Sequence, residues 1–399
     1  MPAAKEIQKA IANGSWIRKM FEEGAILKKE RGAENIFDFT LGNPYGDPPP
    51  AFSAELIRLI STPPPGLHKY MPNAGYPEVR QAVVRDLIAM TGLPFTQELV
   101  VMTVGAAGAV NTALRAIISP GDEVILFSPY FVEYLFYAQN AGGVPVVAET
   151  DKRFQINLAA VEAALTPKTR AIIINTPYNP SGAVYPQKAL AALDTIIASA
   201  ERRFGTTIYA ISDEPYRKIV YRGSQFTPPA SMLRNTLICY SHSKDLNISG
   251  ERIGYLAVSP TAEDADEIAQ ACILCNRILG FVNAPSLFQL AVEKFQSYPA
   301  DMSVYRENRD LLLSVFERTG IECIPPGGAF YLFPKSPIED EMEFISAAKK
   351  EGILLVPGSG FGRSGHMRVA FCVPTNVVRH SIPAWERLAA KFRKGETKA

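Results

Sequence analysis

The feature that most constrains the fold is an alternation of short apolar runs with longer segments of helical spacing. The apolar runs are predicted strands, and they lie at Val100–Val104, Glu123–Phe127, Pro145–Ala148, Arg170–Asn175, Ile208–Ser212, Leu237–Tyr240 and Gly254–Val258. Segments such as Ala106–Ile118 and Gln187–Phe204 lie between them and have the period of a helix. Strands that alternate with helices need crossover connections. The sequence therefore predicts an α/β fold with a mostly parallel, seven-stranded sheet sandwiched by helices.

The last third of the chain has a different pattern, which predicts a second, smaller α+β domain. This region begins after a long helical stretch, Ala262–Gln296, and its predicted elements are a helix at Val304–Thr319 and strand-like runs at Phe330–Phe333 and Met367–Val373. We expect a large domain over residues 51–285 and a small domain over 286–399, with an N-terminal segment, 1–50, that packs with the small domain. A length of 399 residues suits this division, since domains usually span about 100–200 residues.

Charge and composition exclude several classes of function. The chain has 41 basic and 40 acidic residues, so no charge surplus points to nucleic acid or an anionic membrane. No apolar run approaches the roughly 20 residues that span a bilayer, and the N-terminus lacks the apolar core of a secretory signal. The five cysteines are scattered, and the pair Cys272 and Cys275 has no second pair to complete a zinc site. We therefore expect a soluble, cytoplasmic protein without a metal.

A lysine at the end of a predicted strand is the first candidate for chemistry. Lys244 follows Leu237–Tyr240 closely, and ligands of open α/β sheets bind at the carboxyl ends of the strands. Its amine can form a Schiff base with a carbonyl, while Ser241, Ser243 and Arg252 can hold a phosphate. Pyridoxal 5′-phosphate (PLP) is an aldehyde that carries a phosphate. An isolated lysine would be a solvated surface residue, so this interpretation depends on its partners.

Partners of the right chemistry follow two other predicted strands. Asp213 ends the strand Ile208–Ser212, and its carboxylate can keep a pyridine nitrogen protonated, which makes the ring a better electron sink. Asn179 lies in a turn fixed by prolines, and its amide can donate to a phenolate oxygen, as can the Tyr216 hydroxyl. An aspartate that starts a turn and an ordinary Asn-Pro turn are the alternatives when each motif is taken alone.

A phosphate site is predicted where a strand runs into a helix of small residues. Free N–H groups at a helix start attract phosphate, and small side chains let a ligand approach the backbone. The residues expected to hold the phosphate are Gly105, Ala106, Ala107, Ser241, Ser243 and Arg252. Close packing explains the small residues equally well when they are taken alone.

Two further residues are candidates for contacts with a ring and with a substrate. Phe131 lies just past a strand end, where an aromatic side chain can stack on a cofactor or pack in the core. Arg368 lies in a run whose apolar residues alternate around it, and a guanidinium matches a carboxylate in a two-pronged contact. Arg368 is therefore the candidate for a substrate α-carboxylate, against the alternative of a surface arginine on a half-exposed strand.

Together these residues resemble fold-type I PLP-dependent enzymes, specifically the class I and II aminotransferases of the aspartate-aminotransferase type. The resemblance extends from about Leu41 to Val373, and the matching positions occur in the order Gly42, Tyr70, Gly105, Phe131, Asn179, Asp213, Tyr216, Ser241, Lys244, Arg252 and Arg368. It implies that Lys244 carries PLP, that Arg368 and Asn179 bind the substrate, and that the Gly42 backbone contributes near the carboxylate. It also implies that Tyr70 reaches the phosphate of the neighbouring subunit, and hence a homodimer with shared active sites.

The sequence departs from the family where side-chain specificity is read. Some aspartate-specific members have a lysine for the distal carboxylate at the position that is Ala107 here, and the glutamine that often follows is Gly108. Another branch uses an arginine upstream of an Asn-x-Pro turn. Arg277, upstream of Asn283, lies near that location but not in clear register. Arg277 is therefore either a specificity residue or a helix-surface arginine.

The resemblance implies transfer of an amino group from an L-amino acid to a 2-oxo acid by a ping-pong mechanism through a Lys244 Schiff base. Two alternatives stay open. A PLP-dependent C–S β-lyase of the same fold uses the same cofactor residues, which therefore cannot separate the two reactions. A non-catalytic sensor of PLP adducts is a third possibility, although no DNA-binding extension is visible.

Overall fold

The structure is a computed structural model of the chain, and it describes residues 3–4, 7–8, 11 and 16–392. The α-helices of eight residues or more and the shorter ones, in chain order, are α1 (Trp16–Arg31), α2 (Pro50–Ser61), α3 (Pro77–Thr91), α4 (Gly105–Ile117), α5 (Glu133–Asn140), α6 (Leu158–Ala164), α7 (Gln187–Phe204), α8 (Ala265–Ile278), α9 (Ser286–Val292), α10 (Ser303–Thr319), α11 (Glu341–Lys350) and α12 (Thr375–Ala390). The strands are β1 (Phe37–Asp38), β2 (Val100–Thr103), β3 (Glu123–Ser128), β4 (Val144–Glu149), β5 (Thr169–Asn175), β6 (Tyr209–Asp213), β7 (Thr236–Ser241), β8 (Gly254–Val258), β9 (Tyr331–Leu332), β10 (Ile353–Leu354), β11 (Val356–Pro357) and β12 (Met367–Ala370).

A seven-stranded sheet in the order β2-β8-β7-β6-β5-β3-β4 forms the centre of the molecule. The neighbours from β7 through β6, β5 and β3 to β4 pair in parallel, and β8 alone runs antiparallel to β7 and to β2. This confirms the predicted α/β fold with a mostly parallel sheet. Pro145 lies in β4, an edge strand, where a missing N–H costs no interior hydrogen bond.

Alternate side chains of the strands pack into two separate hydrophobic cores, one on each side of the sheet, because successive residues of a strand point to opposite faces. In β5, Ala171 and Ile173 pack with α4 and α8 side chains such as Leu114 on one face. Ile172 and Ile174 pack with α7 side chains such as Leu193 on the other face. Both faces of the strand are therefore apolar, which explains the continuous apolar run from Ala171 to Ile174 in β5.

The C-terminal part of the chain builds its own core around a small antiparallel sheet of β11, β12 and β9. Helices α10 and α12 pack against each other over this core, with Trp385 fully buried between them and the sheet. The N-terminal segment joins it, because β1 pairs in parallel with β10. The boundaries at residues 50 and 285 stay a prediction.

The prediction of one continuous helical stretch before the small domain is wrong. The helical stretch predicted over Ala262–Gln296 is two helices, α8 and α9, separated by a turn. Gly280 has a φ of 90° and Val282 a φ of 61°, and Pro285 precedes α9. A left-handed backbone and a proline cannot continue a helix.

A segment expected at the entrance of the site, Asn13–Ile17, lies outside the residues whose side chains the structure describes. Among the described residues, none of the helices combines the length and apolar character that crossing a bilayer requires.

Candidate active site

The predicted site residues meet in one cavity at the carboxyl edge of the central sheet. β5 ends at Asn175, β6 at Asp213 and β7 at Ser241, and neighbouring registers place these ends side by side. The cavity has a volume of about 280 Å³. Of the predicted residues, its walls contain Gly42, Ala106, Ala107, Phe131, Asn179, Asp213, Tyr216, Ser241, Ser243, Lys244, Arg252 and Arg368.

Asp213 lines the cavity, and only one of its two carboxylate oxygens has a hydrogen-bond partner among the described residues. The Tyr134 hydroxyl donates to Oδ2, whereas Oδ1 is buried and has no hydrogen-bond partner among the described residues. Burial raises the pKa of Asp213 to about 7, against the opposing effect of the Tyr134 hydrogen bond, and Glu214 adds to the rise. A buried acceptor without a partner is costly, so Oδ1 is suited to a donor brought by a ligand.

Replacing Tyr134 by phenylalanine should lower the free energy of unfolding by about 1–3 kcal/mol, the usual cost of leaving a buried polar group without its partner. The aromatic ring, which packs edge-on against Phe131 at 5.5 Å, stays in place. Urea denaturation of the protein without bound ligand measures the change. Tyr45→Phe, on an exposed ring, is the matched control, and equal stability of the two variants would contradict the importance of the Tyr134 hydrogen bond.

Asn179 and Arg368 are held together by a short chain of hydrogen bonds. Arg368 Nη1 donates to Asn179 Oδ1 at 3.1 Å, which leaves the Asn179 amide nitrogen to donate into the cavity. The backbone N–H of Asn179 donates to Asn175 Oδ1 at 2.8 Å, and Asn175 Nδ2 donates to the Asp213 carbonyl at 2.8 Å. The turn that contains Asn179 is therefore fixed to the ends of β5 and β6.

Arg368 is buried, with 2% of its surface exposed, so the alternative of a half-exposed surface arginine is wrong. Its guanidinium lies between the rings of Tyr331 and Phe361, at 4.8 and 4.7 Å from their centroids. Nη2 donates to the Thr40 carbonyl at 2.5 Å. Nε is buried without a partner in the described part of the chain. No carboxylate of the described residues forms a salt bridge with Arg368, and a buried arginine of this kind suits an anionic ligand.

Lys244 reaches across the cavity to the N-terminal segment. Its Nζ donates to the Gly42 carbonyl at 2.7 Å. Burial lowers the pKa of Lys244 to about 8; Cys372 opposes the shift, and the Arg252 and Arg368 charges add to it. An amine with a lowered pKa is a better nucleophile near neutral pH, since more of it is uncharged.

The Tyr216 hydroxyl lies 2.8 Å from the Tyr331 hydroxyl, and either can donate. Burial raises the pKa of Tyr216 well above its usual value, so the group is a neutral donor. Gly42 packs directly on Tyr331, because a Cβ at Gly42 would come within 1.9 Å of the Tyr331 oxygen. The absence of a side chain at Gly42 therefore lets its backbone line the cavity in direct contact with the Tyr331 ring.

At the other end of the cavity, two serine hydroxyls and an arginine meet the start of α4. Ser241 Oγ and Ser243 Oγ are 2.5 Å apart. A Cβ on Gly105 would lie 3.0 Å from Arg252 Nη2 and 3.5 Å from Ser241 Oγ, and Gly105 has a φ of 75°. Glycine therefore leaves a cradle of hydroxyl, guanidinium and free backbone N–H groups of the kind that binds phosphate.

Gly105 is not one of the lining residues but adjoins two of them, Arg252 and Ser241, and two other predicted residues lie away from this cavity. Tyr70 is 92% exposed and lines a surface groove with Phe281 and Asn283. Arg277 is exposed near the end of α8. The expectation that Tyr70 reaches a neighbouring subunit stays a prediction, and so does a specificity role for Arg277.

Sequence reasoning missed Glu133, Tyr134, Tyr137 and Tyr331, all of which line the cavity. A signal was available for the first three. They directly follow Phe131, and Glu133 and Tyr137 are four residues apart on α5, so they share one helix face. Tyr331 had no comparable signal, because its apolar run reads as core.

Comparison with known proteins gives a consistent result. The family model described as aminotransferase class I and II matches residues 34–384. The chain is 34% identical over 353 residues to a probable aspartate/prephenate aminotransferase of Thermus aquaticus, covering 86% of this chain and 89% of the relative. It is 32% identical over 381 residues to the aspartate/prephenate aminotransferase of Thermus thermophilus, covering 92% and 94%.

Solved structures agree in fold over nearly the whole chain. An amino transferase from Eubacterium rectale superposes with a TM-score of 0.95 and 37% identity, covering 99% of this chain and 100% of the other. The aspartate aminotransferase of Thermus thermophilus with maleate superposes with a TM-score of 0.85 and 28% identity, covering 97% and 100%.

Proposed function

The chain belongs to the class I and II aminotransferases, and on that premise we propose that its cavity binds pyridoxal 5′-phosphate, an L-amino acid and a 2-oxo acid. Amino-group transfer is the activity of its relatives by name, which favours transfer over C–S lysis. The proposal rests on one observation: Asp213, whose Oδ1 is buried without a partner among the described residues, and Lys244 line the same cavity.

The cavity fits this cofactor at both of its ends. A pyridinium N–H would satisfy Asp213 Oδ1, the acceptor that otherwise stays buried without a partner. The cradle at Gly105 would hold the phosphate with Ser241, Ser243 and Arg252. Phe131 would cover one face of the ring.

The remaining groups match the substituents of the ring. Asn179 and Tyr216 supply neutral donors for the phenolate oxygen, and Lys244 supplies the amine that binds the aldehyde. When bound, the cofactor supplies an electron sink that stabilises negative charge at the substrate α-carbon.

The chain's own residues then position the amino acid and move its proton. Arg368 holds the α-carboxylate with its free Nε and one Nη, while Asn179 and Thr40 keep the guanidinium in place. Lys244 removes the proton from the α-carbon as a general base and gives it up again as a general acid. A 2-oxo acid then enters the same cavity, so the kinetics should be ping-pong.

The lowered pKa of Lys244 predicts how cofactor uptake depends on pH. Only the neutral amine attacks an aldehyde, so the uptake rate constant of the cofactor-free protein should rise nearly tenfold per pH unit below pH 8. It should level off above pH 8, because the pKa is about 8 rather than the usual value of about 10.4. Stopped-flow absorbance with PLP between pH 6 and pH 10 measures this, and a rise that continues to pH 10 would show an ordinary lysine.

A half-reaction tests the proposed function directly. The PLP-loaded protein, mixed with each of the 20 amino acids without acceptor, should convert its cofactor to the aminated form with at least one of them, seen as a change in absorbance. Release of pyruvate, ammonia and a thiol from cystathionine would support the lyase instead. Spectral silence with every amino acid contradicts transfer.

Assembly and location form a separate part of the proposal. We propose a cytoplasmic homodimer in which Tyr70, 92% exposed in one subunit, completes the phosphate site of the other. The free cysteines support a reducing compartment. Sedimentation of the purified protein tests the dimer, and Tyr70→Phe should weaken PLP binding only if Tyr70 contacts the phosphate.

A further inference from the structure

Five acidic or basic side chains line the cavity. Four of them have a role under the proposed function, on which this inference rests. Asp213, Lys244, Arg252 and Arg368 are matched to the ring nitrogen, the aldehyde, the phosphate and the α-carboxylate. The fifth is Glu133, which lines the same cavity. No cation among the described lining residues remains for a substrate side chain.

Glu133 is placed as a ligand-binding group rather than a surface charge. It begins α5, two residues after Phe131, and shares the cavity-facing side of the helix with Tyr137. Its Oε2 is buried, and no donor of the described residues reaches it. A carboxylate oxygen that loses its water without gaining a hydrogen bond is costly, and a ligand donor would remove that cost.

The Glu133 carboxylate interacts electrostatically with Arg368, the arginine proposed to bind the substrate. Burial raises its pKa, while its own backbone N–H and the charge of Arg368 lower it. Burial and then the Glu133 charge raise the pKa of Tyr137. Because Glu133 and Arg368 line the same cavity, an amino acid bound to Arg368 would lie close to the Glu133 carboxylate.

We propose that Glu133 selects the amino donor by its side chain, favouring L-amino acids with a cationic, hydrogen-bond-donating side chain and disfavouring dicarboxylic ones. A carboxylate and a cationic donor form a charge-assisted hydrogen bond, whereas a second carboxylate in the same buried space would be repelled. The relatives named for aspartate are similar in fold, so a preference for cationic donors would distinguish this chain from them.

The experiment compares three donors of similar size: L-ornithine, whose side chain ends in an amine, L-norleucine, which is its neutral isostere, and L-glutamate. Half-reaction rates give kcat/KM for each with the PLP-loaded protein. Wild-type protein should prefer ornithine to norleucine by about 10- to 100-fold, the range expected for a hydrogen bond to a charged group, and glutamate should be the poorest of the three.

Glu133→Gln should reduce the ornithine-to-norleucine ratio by about the same 10- to 100-fold. Glu162→Gln, an exposed glutamate of α6, is the matched control and should leave the ratio unchanged. If Glu133→Gln does not fold, Glu133→Asp keeps the charge, shortens the reach by one methylene and should shift the preference from ornithine towards lysine.

Three results would overturn the inference. One is a wild-type preference for glutamate over norleucine, and another is a ratio that Glu133→Gln leaves unchanged. A third is an equal loss of kcat/KM with all three donors, which would make Glu133 a residue that only positions Arg368. If no amino acid reacts at all, the proposed function fails instead, and calorimetric binding of the unreactive 2-methyl analogues of the three donors still decides the preference.

Discussion

Replacing Lys244 by alanine should lower the rate of amino-group transfer by at least about 10⁴-fold, the upper range for a general acid–base group. The amine is unique in its position, since it reaches from the end of β7 to the Gly42 carbonyl at 2.7 Å and lines the cavity with Asp213 and Arg368. Steady-state kinetics and the absorbance of bound PLP measure the loss, and the variant should retain no covalent cofactor after gel filtration.

Lys294→Ala is the matched control, because Lys294 is an exposed lysine paired with Glu55. It should behave like the wild type in both assays. Full activity of Lys244→Ala would remove the basis of the proposed function, whereas loss of activity in both variants would indicate a general defect in folding.

Replacing Asp213 by asparagine should lower kcat/KM by about 10²- to 10³-fold, the range measured when one electrostatic partner of a developing charge is removed. The amide cannot keep the ring nitrogen positively charged, so negative charge at the substrate α-carbon is less well stabilised. Tyr134 can still donate to the asparagine oxygen, as it donates to Oδ2 of the aspartate.

Stability measurements separate this effect from unfolding. Because burial raises the pKa of Asp213 from 3.8 to about 7, the folded wild type binds more protons than the unfolded chain between these values, and its free energy of unfolding should fall as the pH rises through this window. The asparagine variant lacks that loss, so the cofactor-free variant should unfold at an equal or higher temperature at pH 8. Wild-type kcat/KM in Asp213→Asn would show that the ring nitrogen has another partner.

The central sheet was predictable because most of its strands are buried on both faces. β5 supplies apolar side chains to two cores, so its sequence is a continuous apolar run whose limits are marked by polar residues. β1, β10 and β11, which have two residues each, were not predicted. The break between α8 and α9 was missed because apolar spacing continues through Ile278 while the backbone reverses at Gly280.

Site residues were predictable where they follow a strand, since the carboxyl ends of parallel strands converge. Asn179, Asp213 and Lys244 are of this kind, and they meet in the cavity. Tyr331 could not be found this way, because its role depends on a hydroxyl contact with Tyr216, 115 positions away in the chain. Glu133 was missed although it lies only two residues after Phe131, because a glutamate in the first turn of a helix is ordinary for helix-dipole reasons alone.

The pairing of β1 with β10 limits how the protein can be shortened. The segment after β1 supplies the Thr40 carbonyl to Arg368 and the Gly42 carbonyl to Lys244, although Phe37 is held by a strand more than 300 positions later. A shortened version starting beyond Gly42 would keep the whole central sheet. It would nevertheless lose the hydrogen bond from Arg368 to the Thr40 carbonyl and the one from Lys244 to the Gly42 carbonyl. Affinity tags and fusion partners should therefore be attached before β1 and should not replace the segment from Phe37 to Gly42.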